Sequence, residues 1–268
     1  MRLGAALLLM LAGCAQPETE RASAEHPTIV SLNPCADAIL AEITAPGQLL
    51  AISHYSHDPS ASSMLAEDAA RYASRGGTAE EVIALAPDMV VGDIFMAPAT
   101  RRAFEQAGIH VETIGIVSTL EESIAQIEGL GEATGNSTAA AEMSSALETQ
   151  WTEFGWQGER IPALLIQQGD IVPGEQSLAH AMLEHAGFSS LSAARGLGQG
   201  AYLPLEQVLA DPPQVVIAAG DTRMLEHPVL GELSGVERHN LDSSLLYCGG
   251  PTIPRALEHL LEIRRQVG

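Results

Sequence analysis

The sequence predicts an α/β protein of two Rossmann-like lobes with central parallel sheets, joined by one long α-helix, with a ligand cleft between the lobes. Three observations predict this architecture. Short runs rich in Val, Ile and Leu alternate with helical patterns along the chain, which is typical of βαβ units. A twelve-residue segment occurs twice, and a long stretch of helix formers lies between the two halves.

The first lobe is predicted to span residues 27–118. Its opening strand, at residues 28–32, stops at Asn33-Pro34. Gly108 follows a helical pattern and is a typical residue at a helix end. Further strands are predicted at residues 49–53, 89–92 and 110–114, with helices at residues 34–43 and 98–107.

The second lobe, residues 159–268, repeats this order. Strands are predicted at residues 163–167 and 214–218, and helices at residues 176–186 and 253–266. Residues 119–158, between the lobes, are mostly helix formers, broken between Gly129 and Asn136. They predict one long helix at residues 138–154, which would extend about 25 Å at 1.5 Å per residue and would connect the lobes as a stiff strut.

The internal repeat supports two similar lobes. Residues 80–91 align without gaps on residues 206–217, and each copy reads as a short helix, a proline stop and a buried strand. Each copy begins with a glutamate, Glu80 or Glu206, at a helix start, where the helix dipole favours a negative charge. The matching glutamate, alanine and proline positions favour duplication over a chance match.

The first 14 residues predict a lipoprotein signal peptide. A positive start is followed by a short apolar run and by Gly13-Cys14, which resembles a bacterial lipobox with Cys14 as the lipidated residue. The alternative is an ordinary signal peptide that is cut nearby, so that Cys14 is discarded. Residues 15–26 are polar and lack periodicity, which predicts a flexible tether.

The charge limits the classes of partner. The chain has 34 acidic and 13 basic residues and a net charge of −21. Nucleic-acid binding requires a basic surface, so nucleic acid is excluded as a partner. An acidic surface suits solubility and encounter with a positively charged partner. Association with the membrane is therefore expected through the lipid anchor alone.

Several of these features together resemble one family. The opening segment Thr-Ile-Val-Ser-Leu-Asn-Pro-Cys-Ala-Asp-Ala-Ile-Leu, the duplicated segment, Gly108-Ile-His-Val and the long helix between the halves are similar to class III periplasmic binding proteins of ABC importers. This group carries cobalamin, siderophores and haem. The resemblance covers about residues 27–266. Cobalamin carriers of this family have tryptophans in their cleft loops, and the matching positions near Ser74 and at residues 93–96 have none.

The resemblance implies a function and its partners. The protein would bind an iron complex (a siderophore or haem) or a corrinoid in the periplasm, with no intrinsic cofactor. It would deliver this ligand to an ABC permease dimer with its ATPase. In the family, glutamates at the positions of Glu80 and Glu206 pair with arginines of the permease. The alternative is that each glutamate is only a favoured residue at a helix start.

Ligands of open α/β sheets bind beyond the carboxyl ends of the strands. This rule and the resemblance select nine candidate ligand-binding residues: Asn33, Cys35, His54, Tyr55, His57, Phe95, Tyr202, Arg223 and Cys248. No direct metal ligand is assigned.

Two groups among these candidates have distinctive chemistry. Imidazole suits iron, zinc and copper, so His54 and His57 could reach a bound metal complex; the alternative is two solvated loop histidines. Cys35 and Cys248 mark both sides of one cleft in the family arrangement, which leaves open a thiol–metal contact or a disulfide between the lobes.

Two other functions compete with this reading. Cys35 at a strand-to-helix turn, with His54 or His57 as a base, would suit a cysteine-dependent enzyme. A carrier of a free metal ion would share the two-lobed design, but such carriers usually place His, Asp or Glu ligands in both lobes.

Overall fold

Two β-sheets, one in each half of the chain, form the framework of this computed structural model, which describes residues 26–220, 228 and 235–267. The first sheet has five parallel strands in the order β3-β2-β1-β4-β5. They are β1 (Ile29–Ser31), β2 (Leu49–Ser53), β3 (Ala73–Arg75), β4 (Met89–Asp93) and β5 (His110–Ile114).

The second sheet is mixed and has the order β11-β10-β6-β7-β9, with β8 beside β6. Its strands are β6 (Ile161–Gln167), β7 (Ile171–Val172), β8 (Phe188–Ser190), β9 (Ala201–Tyr202), β10 (Val215–Ala219) and β11 (Glu237–Leu241). β8, β10 and β11 run parallel to their neighbours, whereas β7 pairs antiparallel with both β6 and β9. The sequence analysis did not predict β3, β7, β8, β9 or β11. Four of these strands have only two or three residues, too few for a detectable periodicity, and β11 is not an apolar run, because only its last residue is buried.

Helices cover the sheets and connect them. In the first lobe they are α1 (Pro34–Ile43), α2 (Ala66–Ala69), α3 (Ala79–Ile83) and α4 (Pro98–Gln106). The connection consists of α5 (Leu120–Thr134) and α6 (Ser137–Glu153). The second lobe has α7 (Leu178–His185), α8 (Leu191–Ala194), α9 (Leu205–Ala210) and α10 (Thr252–Gln266). Two 3-10 turns, His54–His57 and Ser243–Leu246, follow β2 and β11.

The local sequence explains the start of α1 and the central strands. Asn33 ends the loop after β1, and its side chain accepts hydrogen bonds from the amides of Cys35 (2.8 Å) and Ala36 (3.3 Å). Pro34 occupies the first helical turn, where its missing N–H has no consequence. All five residues of β10 are buried, which explains why this parallel strand is an unbroken apolar run in the sequence.

The internal repeat corresponds to the same unit in both lobes. α3 leads into β4, and α9 leads into β10. Val82 and Val208 occupy equivalent positions in these two helices, and both are fully buried. β4 pairs with β1, and β10 pairs with β6, so each copy sits beside the opening strand of its lobe. The predicted pair of similar α/β lobes is confirmed.

The connection between the lobes is a pair of packed helices. α6 contacts α1 of the first lobe and α10 of the second, so the predicted long helix does bridge the lobes. α5 packs along α6, and Gly135 ends it in the left-handed conformation (φ 74°). A Cβ atom at Gly131 would lie 2.3 Å from the Cβ of Ala140, so this glycine permits the close approach of the two helices.

Residues 247–255 of the second lobe contact the first lobe and the connection; these contacts form the interlobe seam. The Tyr247 hydroxyl donates to the Ser60 carbonyl (3.1 Å), and the Gly250 amide donates to the Ser123 hydroxyl (2.7 Å). Thr252 donates through its hydroxyl to the buried Ser63 hydroxyl (2.8 Å). These bonds hold the second lobe against the first lobe and against α5.

A disulfide reinforces the interlobe seam. Cys35, at the start of α1, is bonded to Cys248, and their Cα atoms are 5.2 Å apart across a sequence separation of 213 residues. A bond that closes so long a loop restricts the unfolded chain and typically contributes about 2–4 kcal/mol to stability. Arg255 adds a neighbouring contact, since its guanidinium donates to the Ser63 carbonyl (2.5 Å).

The described residues include no helix that is both long and apolar enough to cross a membrane.

Asp37 is a buried carboxylate that ties α1 to the end of β2. It accepts hydrogen bonds from the Ser53 amide (2.9 Å) and from the Ser56 hydroxyl (2.6 Å) in the turn His54–His57. Burial raises the pKa of Asp37 from 3.8 to about 6, and hydrogen bonds from Ser31, Ser56 and the Ser53 amide offset part of this rise. The carboxylate therefore positions the turn but is destabilising when it is ionised.

We expect Asp37→Asn to change the pH dependence of stability. Because the pKa is raised in the folded state, this group's stabilising contribution is full below pH 3.8 and is lost as the pH rises through about 6. The amide oxygen of asparagine can still accept from Ser53 and Ser56. The free energy of unfolding of the variant minus that of the wild type should therefore be larger at pH 7.5 than at pH 4, by up to about 3 kcal/mol.

Urea unfolding of both proteins at the two pH values measures this difference. An equal effect of the substitution on the free energy of unfolding at pH 4 and pH 7.5 would contradict it.

Candidate ligand cleft

A cavity of about 460 Å³ lies between the lobes, at the carboxyl ends of their central strands. Asp93 and Ile114, the last residues of β4 and β5, line it from the first lobe. Gln167, the last residue of β6, lines it from the second. This is the edge at which open α/β sheets bind ligands, and the volume falls within the usual range for small-molecule sites.

Three helices begin at the wall of the cavity. Asn33 and Cys35 lie at the start of α1, Ser118 lies just before α5, and Ser177 caps α7. The first amides of a helix have no partner within the helix, and the helix dipole is positive at this end. Side-chain caps already accept from some of these amides, since Asn33 accepts from Cys35 and Ala36 and Ser177 accepts from His180. The positive ends of the three helix dipoles still favour partially negative groups, such as carbonyl or carboxylate oxygens, on a bound molecule.

Side-chain amides make up much of the polar wall. Gln126 and Gln199 are held in place, since Gln126 donates to the Gly115 carbonyl (2.9 Å) and Gln199 accepts from the Gly174 amide (3.1 Å). Gln167 and Gln176 also line the cavity. An amide both donates and accepts, so this wall suits a ligand with an uncharged polar periphery.

Large apolar side chains are exposed on the first-lobe side of the cavity. Ile94, Phe95 and Ile116, in the loops after β4 and β5, are 56 %, 72 % and 79 % exposed. Asp93 holds the first of these loops, because its carboxylate accepts from the Phe95 amide (2.6 Å). We call these three residues the apolar lip. An exposed apolar group beside a polar wall marks a binding surface.

Four of the residues selected from the sequence line this cavity: Asn33, Cys35, Phe95 and Cys248. They come from both lobes and lie around a single space, although Asn33 and Cys248 are 215 positions apart in the sequence (248 minus 33). Cys35 and Cys248 form a disulfide, which decides between the two alternatives that the sequence left open for this pair. Neither sulfur is then a free thiol that could bind a metal or act as a nucleophile.

His54, Tyr55 and His57 lie on a 3-10 turn outside the wall of this cavity. Both histidines and Tyr55 are exposed, and the rings of His54 and Tyr55 are 4.0 Å apart. The buried Ser56 hydroxyl points to Asp37, so the flanking side chains of the turn face the solvent. Their contact with a ligand remains a prediction.

Other sequence candidates lie elsewhere. Tyr202, on β9, is 61 % exposed and does not line the cavity. Arg223 and Cys14 lie outside the described residues.

Glu80 and Glu206 are exposed in the first turns of α3 and α9. Within residues 26–220 and 235–267, neither carboxylate forms a hydrogen bond or an ion pair. No described residue therefore occupies either carboxylate, and both can contact a partner protein.

Sequence reasoning missed part of the wall. Ile116 follows the carboxyl end of β5, so the rule that selected Phe95 would have found it if applied to that strand. Gln176 and Ser177 could not be found in this way, because the hairpin of β6 and β7 separates them from the preceding parallel strand.

Among the described residues, no group of three or more His, Cys, Asp or Glu side chains is arranged to hold a metal ion.

Comparisons with known proteins agree with this architecture. No curated protein matches the chain. The structure of the periplasmic haem-binding protein HutB of Vibrio cholerae superposes with a TM-score of 0.73 at 15 % identity, covering 88 % of this chain and 98 % of that one. The apo haem-binding protein RhuT of Roseiflexus sp. RS-1 gives 0.68 at 19 % identity, covering 89 % and 96 %. The vitamin B12-binding protein BtuF of Vibrio cholerae gives 0.65 at 20 % identity, covering 91 % and 98 %.

At these identities the structural likeness establishes the fold. A family model described as periplasmic binding protein matches residues 29–238. Its members bind a substrate and do not transform it, which sets aside the enzyme alternative with Cys35 as nucleophile. The chain therefore belongs to the class III periplasmic binding proteins of ABC importers.

Proposed function

We propose that this protein captures a metal-bearing macrocycle, haem or a corrinoid, outside the cytoplasmic membrane and delivers it to the permease of an ABC importer. The observation that carries the proposal is the cavity between the lobes, in which the apolar lip faces a wall of side-chain amides and helix starts. A flat macrocycle has apolar faces and a polar periphery, and the two kinds of surface in the cavity complement them.

The polar wall favours a corrinoid over haem. A corrinoid has amide side chains around its ring, and these can pair with the amides of Gln167, Gln176 and Asn33. Haem has two carboxylates, which would use the helix starts alone. Phe95 and Ile116 offer the apolar contact surface that the tryptophans provide in cobalamin carriers of the family. Structures of similar fold from haem-binding and vitamin B12-binding proteins support a ligand of this class.

The two repeat glutamates suit docking on a symmetric partner. Glu80 and Glu206 begin equivalent helices, one in each lobe, and both are exposed. Two acidic side chains related by the internal repeat match two equivalent basic pockets on a permease dimer. The net charge of −21 favours encounter with such a basic surface.

The location follows from the chain's first residues as well as from the family. We propose that the lipid on Cys14 anchors the protein to a membrane, and that residues 15–26 act as the tether between the anchor and the folded lobes.

The ligand is identified by titration. The purified protein should bind cyanocobalamin or dicyanocobinamide more tightly than haemin or a ferric siderophore, as measured by calorimetry and by ligand absorption. Phe95→Ala should weaken binding about tenfold or more, because loss of an aromatic side chain that a ligand covers commonly costs over 1 kcal/mol.

The matched control is the pair His54→Ala and His57→Ala, which lies outside the wall of the cavity. If this pair weakens binding as much as Phe95→Ala does, the turn contacts the ligand, as the sequence predicted. If the wild type binds haemin more tightly than either corrinoid, the preference for a corrinoid is wrong.

Docking is tested by paired substitutions. Glu80→Ala with Glu206→Ala should leave ligand affinity unchanged and nearly abolish stimulation of the transporter's ATPase, because each lobe loses its contact with the permease. The control is Glu142→Ala with Glu153→Ala, which removes two exposed carboxylates from α6. Equal stimulation by the two double variants would show that only the net charge matters.

The anchor is tested by Cys14→Ser, which should move the protein from the membrane fraction to the soluble fraction without a change in ligand affinity. Recovery of the wild type itself in the soluble fraction would contradict lipidation.

A further inference from the structure

The disulfide lies at the end of the interlobe seam that borders the ligand cavity. Cys35 and Cys248 both line the ligand cavity, one from each lobe. Leu246, Tyr247 and Gly249 line it as well, so the cavity ends at the seam. The hydrogen bond between Thr252 and Ser63 lies beyond this end. Both of these residues line a second cavity, of about 270 Å³.

We propose that the Cys35–Cys248 bond is the positioning element of the ligand cleft: it holds the two walls at the separation that binds ligand. This inference rests on the proposed function, since it concerns the affinity of the same cavity. It extends that function by making ligand capture depend on the redox state of two residues.

The physical argument starts from how the lobes are joined. The connection of α5 and α6 is the chain's own link between them, and the disulfide is a second covalent link. The other contacts of the seam are hydrogen bonds from Tyr247, Gly250, Thr252 and Arg255, which water can replace at modest net cost. A buried apolar cluster also continues from the first lobe through α5 and α6 into the second. Without the disulfide, only these noncovalent contacts oppose a shift of the lobes at the seam.

Separation at the seam acts directly on the cavity. Gln167, Gln176 and Gln199 of the amide wall and the start of α7 belong to the second lobe, whereas the apolar lip and the start of α1 belong to the first. A ligand that contacts both walls binds only the population in which the lobes are in place. Its apparent dissociation constant rises in inverse proportion to that population. The disulfide keeps this population near its maximum before the ligand arrives.

The packing of Gly250 makes the seam sensitive to small shifts. Its amide donates to the Ser123 hydroxyl in α5, and it has a positive φ of 60°. A Cβ atom built at this position would lie 3.0 Å from Ile39 of α1, so the second lobe's backbone rests closely on the first lobe there. Exchange of the Gly250 amide hydrogen therefore reports whether the seam is closed.

The experiment compares the oxidised wild type with Cys35→Ser/Cys248→Ser. Cyanocobalamin, dicyanocobinamide and haemin are the titrants, and circular dichroism confirms that both proteins are folded at the temperature used. We expect the double variant to bind about tenfold more weakly, which corresponds to a fall of the fraction of binding-competent molecules to about one tenth. A reductant should weaken binding by the wild type to the same degree and leave the variant unchanged.

A second disulfide separates the tether from the sulfur atoms themselves. The hydroxyl oxygens of Ser63 and Thr252 are 2.8 Å apart, so cysteines at these positions can rejoin the lobes on the far side of the seam. In the double-serine background, Ser63→Cys/Thr252→Cys should restore affinity to within a few-fold of the wild type once a thiol count shows that the bond has formed.

The outcomes are distinct. Affinity unchanged in the double-serine variant overturns the inference, and so does a formed second disulfide that fails to restore binding. A wild type that binds none of the titrants contradicts the proposed function instead. In that case hydrogen exchange of the segment around Gly250 still decides the positioning role. The exchange should be faster in the double-serine variant and slow again in the rescued one, and equal exchange in all three overturns the inference.

Discussion

The covalent bond between Cys35 and Cys248 joins residues that are 213 positions apart and ties the start of α1 in the first lobe to the second lobe. Around it, the interlobe seam places buried polar groups in hydrogen bonds, such as the one between Ser63 and Thr252. A buried hydroxyl without a partner would be costly, so these contacts specify one arrangement of the lobes. The cavity exists because this arrangement leaves the carboxyl edges of both sheets facing each other.

The character of the cavity follows from the topology of the sheets. Parallel strands direct their carboxyl ends to one edge, and the helices that follow begin there with the positive ends of their dipoles. Asn33 shows both effects, since it caps α1 and also lines the cavity. The cavity is therefore lined largely by neutral amides, helix starts and apolar side chains such as Phe95, in a chain whose net charge is −21.

The internal repeat gives the protein an approximate two-fold relation that the cavity does not share. Val82 and Val208 anchor equivalent helices on the two sheets, and this places Glu80 and Glu206 in equivalent positions. The walls of the cavity differ, because the second lobe adds β7 and β9. Two equivalent acidic positions and an asymmetric cavity thus coexist in one chain.

The sequence by itself determined the α/β class, the two lobes, the bridging helix and the carboxyl edge at which the cavity lies. These depend on local periodicity and on the repeat, which are written in consecutive residues. The central strands and α6 were accordingly predicted within a few residues of their observed bounds. Asn33, Cys35 and Phe95 were found because the edge rule needs only the ends of strands, and Cys248 was found through the family resemblance.

Only the tertiary structure decided which of these edge residues share one space. The side chain of Ser56 turns inward to Asp37, which leaves His54 and His57 in the solvent, and nothing in the local sequence encodes that direction. Gln176 reaches the cavity through a hairpin whose two-residue strand has no periodic signal. The disulfide likewise depends on a separation of 5.2 Å between Cα atoms, which long-range packing sets and sequence spacing does not.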